Sequence, residues 1–186
     1  MNIKSLFIIS IAFFLAGCSI GNKQEARVID SAVEGLEYQC AGEVFYTGKD
    51  GLLSCYQTPI GFKVGEVKIG IIERIPADGI ILPQDMVNTN RANLTSDNVK
   101  KLTILLQTID SDNNPENGIT IKKEDVAKLD TFIDLQKTSI NNFKELIEAL
   151  LGKSTKDEKE ALKHLQNSMR KLNMKEADYI DLDKQL

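Results

Sequence analysis

The sequence predicts an α+β fold: a small antiparallel β unit, a sandwich or an open barrel, followed by a four-helix C-terminal region. Two observations carry that expectation. Between Arg27 and Val87 the chain holds eight glycines and three prolines, and these separate short apolar runs at the spacing of strands and turns. After Asn90 glycine nearly disappears, and apolar residues recur every three or four positions, the period of a helix. The shift divides the chain into a β-rich unit, residues 28–90, and a helical region, residues 91–175, ending in an acidic tail, residues 176–186.

The amino terminus reads as a secretory signal peptide, residues 1–17. Lys4 lies in a short polar start, Leu6 to Leu15 form the apolar stretch, and Ala16-Gly17 make a small-residue exit. That stretch is well short of the roughly 20 residues a spanning helix needs. The exit runs into cysteine as Leu15-Ala16-Gly17-Cys18, which resembles the lipobox of bacterial lipoproteins. The resemblance implies a lipid on the Cys18 thiol, cleavage before Cys18 and acylation of the new amino terminus. Several acyl chains together give stable anchoring, since each buried methylene contributes about 0.8 kcal/mol. Ser19 in place of aspartate favours the outer membrane by the same resemblance. Residues 18–27 are polar, lack periodicity and read as a lipidated tether.

Export leaves Cys40 and Cys55 as an even pair in an oxidising compartment, so they are expected to form a disulfide that links the β unit. Closing a loop of that size is worth about 3 kcal/mol by chain entropy. Within the unit, strands are expected over 28–33, 36–40, 43–47, 52–56, 62–64, 67–72 and 80–82. Asp50-Gly51 is the strongest turn signal, and it predicts a hairpin between 43–47 and 52–56.

Helical spacing then places a first helix after Thr95 or Ser96, with Val99, Leu102, Leu105, Leu106 and Ile109 on one face. A second is expected over 123–135, with Val126, Leu129, Phe132 and Ile133 inward. A third runs over 139–151 and stops at Gly152. Thr155 and Glu158 make a capping box for a fourth, carrying Ala161, Leu162, Leu165, Met169 and Leu172.

A module of exported surface lipoproteins and adhesin-like proteins is similar to residues 30–121. The match runs through Val33-Glu34-Gly35-Leu36-Glu37-Tyr38, Thr47-Gly48-Lys49-Asp50-Gly51, Lys68-Ile69-Gly70 and Pro83-Gln84-Asp85-Met86. It ends on Leu106-Gln107-Thr108-Ile109-Asp110-Ser111-Asp112-Asn113-Asn114-Pro115-Glu116-Asn117-Gly118-Ile119. Met86 and Ile109 depart from the usual leucines. The resemblance implies that the strands and first helix form one unit, and it assigns no activity. Residues 139–172 lie outside it and read as an addition whose loss leaves the rest folded.

Candidate chemistry is sparse. Asp110, Asp112 and Asn114 offer oxygen ligands at alternate positions, as a calcium loop begins, but Pro115 and Ile121 stand where an EF-hand needs glycine and a bidentate glutamate. A helix-terminal turn is therefore the first reading and a weak calcium site the second. His164, the single histidine, reads as a solvent-edge helical residue, because no serine or cysteine motif accompanies it. With a formal charge of −4, becoming −5 when Lys4 is cleaved away, and no basic cluster, the chain is a poor nucleic-acid binder. The function expected is that of a membrane-anchored, non-catalytic envelope lipoprotein that binds a protein or glycan and needs no cofactor beyond its covalent lipid. A periplasm-facing accessory subunit or chaperone of an envelope assembly is the alternative.

Overall fold

Alternating side chains build the strands, and in the computed structural model, which describes residues 22–179 and Leu182, the fold is mixed α and β. The first strand, β1 (Gln24–Val28), turns Ala26 and Val28 inward. It therefore begins inside the segment expected as tether. Next come β2 (Val33–Glu34), β3 (Glu37–Cys40), β4 (Glu43–Tyr46), β5 (Leu52–Cys55), β6 (Ile60–Val64), β7 (Val67–Ile72) and β8 (Ile80–Ile81). Strands β10-β7-β6-β3-β4 form one sheet, in which β10 is Ile133–Asp134, and β5-β1-β8 form another. A third small sheet pairs β2 with β9 (Ile119–Thr120). No barrel closes among the described strands.

The expected Asp50-Gly51 hairpin does not form. Both residues adopt the left-handed backbone that suggested it, with φ of 59° and 70°, yet they belong to a single 3-10 turn that carries the chain between sheets. Strand β4 pairs with β3 through a two-residue turn at Ala41-Gly42, while β5 pairs with β1. Thr47 holds the crossover: its hydroxyl donates to the Val33 carbonyl (2.6 Å) and accepts from the Leu36 amide (2.9 Å). The Cys40–Cys55 disulfide consequently ties β3 of the five-stranded sheet to β5 of the three-stranded one. The pairing was anticipated from count and compartment, and it forms without the expected hairpin.

The four-helix expectation resolves differently. Three helices are long: α2 (Asp97–Ile109), α4 (Ile140–Leu151) and α5 (Glu158–Lys171); α1 (Pro83–Met86) and α3 (Lys123–Val126) are single turns. The helix expected over 123–135 stops after one turn because β7 captures its continuation. The Leu129 carbonyl accepts from the Glu66 amide and the Ile133 amide donates to the Glu66 carbonyl, so β10 runs parallel to β7. Tertiary hydrogen bonds here override local periodicity. Phe132, expected inside, is 67% exposed. Gly152 ends α4 with φ of 66° as expected, but α5 is capped by Asp157, which accepts from the Lys159 and Glu160 amides. Thr155 instead donates to Glu148. Of the acidic tail, Lys175–Tyr179 makes a 3-10 turn, and Ala177 and Leu182 are buried.

The composition boundary near residue 90 is not a boundary of the core. One apolar cluster runs from Ala26 to Leu182, and α2 lies within it, in contact with α4 and α5. Lys101, buried on α2, donates to the carbonyls of Leu135 and Thr138, each at 2.6 Å. Gly70 shows how closely the layers meet, since a Cβ there would collide with the Met86 carbonyl at the end of α1.

Candidate functional site: an apolar trough on the open sheet face

The five-stranded sheet has one covered and one open face. On the covered face lie Tyr38, Phe62, Val64, Val67 and Ile69. On the open face, registration sets Val44 beside Gln39, Gln39 beside Gly61 and Gly61 beside Ile71. Gly61 has nothing within 4 Å of the place a Cβ would occupy, so the row sags at its centre. The result is a trough of about 410 Å³, walled by Val44, Ile71 and Phe132 and rimmed by Glu37, Lys63 and Lys68. Val44, Tyr46 and Ile71 are 52%, 53% and 49% exposed. Contiguous exposed apolar surface of this kind marks an interaction face more often than a scatter of single residues does.

Strand β4 borders this trough and ends the sheet. Because Cys40 and Glu43 flank a two-residue turn, hydrogen-bonded and non-bonded pairs alternate from there. Val44 and Tyr46 occupy the non-bonded positions, so their backbone groups point away from β3. The edge is thus open to an added strand, and all four β4 residues are exposed.

A second cluster, polar and partly buried, ties segments far apart in sequence together. Asp30 sits fully buried in the turn after β1, and both its oxygens accept from the Gln107 side chain at 3.2 and 3.0 Å. Burial pushes the Asp30 carboxyl up to about 7, partly offset by Gln107. Beside it, Ser31 Oγ donates to the Pro115 carbonyl (2.6 Å) and lies 3.0 Å from His164 Nε2. His164 Nδ1 is 3.0 Å from Glu116 Oε1, and Lys171 donates to Glu116 Oε2 at 3.1 Å. The histidine expected at the solvent edge is 6% exposed. Its partners sit 133 and 48 residues away, so no local motif announced them. The spacing resembles a serine–histidine–acid relay, but the serine hydrogen is directed at a carbonyl. In this geometry the hydroxyl is a strut rather than a nucleophile released to a base.

The calcium candidates fall on the loop after α2. Asp110 Oδ1 accepts from the Thr120 amide (2.9 Å); Asp112 accepts from the Asn114 amide (3.0 Å) and the Asn117 side chain (2.8 Å). The loop thus brings Asp110 and Asp112 together, and Asn114 is exposed at its edge. Cys18 and the signal segment lie outside the described residues. Among those that are described, no helix is long and apolar enough to cross a membrane. Comparison with known proteins finds no matching family model, no matching curated protein and no matching solved structure.

Proposed function

We propose that this chain is a lipid-anchored envelope lipoprotein that works by binding a protein partner across the open face and edge of its five-stranded sheet. The observation that carries the reading is the trough beside β4. Apolar walls, a charged rim and unpaired strand backbone are the elements by which extended segments are received, with main-chain bonds supplying affinity and side-chain pockets selectivity. A glycan could stack on Phe132 or Tyr46, but it would leave the strand edge unused, so a polypeptide fits better. The Leu15-Ala16-Gly17-Cys18 sequence supports anchoring through Cys18, and the cystine between sheets accords with an oxidising compartment. Gln24, six residues after Cys18, pairs with Cys55, so the anchor enters the fold at its disulfide-bridged end.

A photo-crosslinking residue placed at Tyr46, with Asn167 on exposed α5 surface as control, tests this in intact cells. The expected result is a discrete protein adduct from position 46 and none from 167. Adducts of equal yield from both positions, or from neither, refute the contact face. Cys18→Ser separately tests anchoring, since it should move the protein out of the membrane fraction.

A further inference from the structure

We propose that the loop after α2 binds a divalent cation of the calcium class through the carboxylates of Asp110 and Asp112. This inference goes beyond the sheet-face reading and does not depend on it. Its starting point is an unsatisfied atom. Among the described residues, two buried side-chain oxygens have no hydrogen-bond partner, Gln84 Oε1 and Asp110 Oδ2, and only the second belongs to an ionisable group. Asp110 is 1% exposed, and Oδ1, its other oxygen, is already taken by the Thr120 amide. A carboxylate oxygen withdrawn from water needs a donor or a cation.

The Asn114 amide, which lies near Asp110, is held by Asp112 Oδ1, and the other neighbour is an acid. The Asp112 carboxyl stands within hydrogen-bonding reach of Asp110. Two carboxyls at such a distance are stable only with something positive between them, a shared proton or a metal ion. The donors present are hard oxygens alone, which suits calcium over transition metals. Asp112 is exposed while Asp110 is not, so an ion would be gripped from below and meet water above, where solvent completes its shell.

The spacing alone argued for a plain turn, and it still excludes an EF-hand. Pro115 opens a 3-10 turn, Pro115–Asn117, and Ile121 is buried, so neither the glycine bend nor the bidentate glutamate exists. With fewer protein ligands the affinity belongs to the weak end, roughly 10⁻⁴ to 10⁻³ M. The same loop delivers Pro115 and Glu116 to Ser31 and His164, so an occupied site would stiffen that buried connection as well.

The test uses the lipidated full chain in detergent, freed of metal with a chelator. Radiolabelled calcium in equilibrium dialysis should bind saturably, and the melting temperature should climb with calcium concentration as binding to the native state requires. Asp112→Asn, at an exposed position, should weaken binding by at least about tenfold, whereas Asp50→Asn, an exposed acid elsewhere, should leave it unchanged. Absence of saturable binding overturns the proposal, and so does binding that survives Asp112→Asn. A melting temperature that responds to pH but not to calcium, with the pH response lost in Asp112→Asn, assigns the pair to a shared proton and likewise overturns it.

Discussion

Helix α2 and strand β4 are opposites in a way their compositions conceal. From Lys101 to Asp110 ten consecutive residues are buried, among them Lys101, Thr103, Gln107, Thr108 and Asp110. Every residue of β4 is exposed, although three of its four are Val44, Phe45 and Tyr46. Position in the fold, rather than hydropathy, decides the matter. The helix is enclosed by sheets, α4 and α5, and the polar side chains inside it are held by partners: Lys101 by two carbonyls, Gln107 by Asp30 and the Ala161 carbonyl, Thr108 by the Lys156 amide; at Asp110, just past its end, one oxygen stays unpartnered. The strand has neighbours on one side only. Buried polar groups on α2 therefore mark internal partners, and the exposed apolar run of β4 marks a face available for contact.

That contrast can be broken first by uncovering α2. Truncation after Gln136 removes Phe143, Ile147, Leu162, Leu165 and Met169 from the core. At about 2 kcal/mol each the loss approaches roughly 10 kcal/mol, comparable with the whole stability of a domain. Circular dichroism should show no cooperative melt; a sharp transition would prove that the α4–α5 pair is the separable addition its absence from the resemblance suggested.

A smaller effect comes from Asp30, the acid that Gln107 holds. Its folded value near 7 exceeds the ordinary 3.8, so the folded state binds the extra proton. The resulting stability is full below about pH 4 and is lost as pH rises through about 7. Three units correspond to at most about 4 kcal/mol. Urea titrations at pH 5 and pH 8 should show wild type weakening over that interval and Asp30→Asn weakening far less. A flat wild-type profile would mean that the carboxyl is better solvated than its burial implies.

The smallest change is expected at β4. Tyr46→Ser should alter stability by less than about 0.5 kcal/mol, while the adduct formed from a crosslinker at Val44 disappears. Phe45→Ser sharpens the comparison, because Phe45 stacks on Tyr38 at 5.6 Å and its loss should cost about 1 kcal/mol. Equal melting curves for the two variants would place Phe45 with Tyr46 as surface alone.

How far each feature was legible depends on how far away its partner lies. Strands β3 to β7, the faces of α2 and α4 and the Gly152 stop follow from local periodicity and backbone preference. The Cys40–Cys55 pairing was legible from counting and compartment, but not from the turn, since Asp50-Gly51 permits a hairpin without requiring one. The strands β9 and β10 were invisible: two residues each, they exist only because β2 and β7 offer edges. His164 was misread for the same reason, its partners being Ser31 and Glu116. Asp110 and Asp112 were singled out by spacing, whereas the orphaned Asp110 oxygen emerged only in three dimensions. The trough was not legible, because it depends on Gly61 lining up with Ile71, Gln39 and Val44 on three other strands.

The parallel pairings carry one more consequence, in the order of events rather than in energy. Val33 pairs with Ile119, and Val67 with Ile133; the first pairing waits until Thr120 is present and the second until Asp134 is. A chain that emerges from its amino terminus must therefore hold β2 and β7 unfinished for most of its passage, and non-local closures of that length slow the search for the native state. During that interval the edges of β4 and β7 are both unpaired, and the chain is most open to proteases and to association with its own copies.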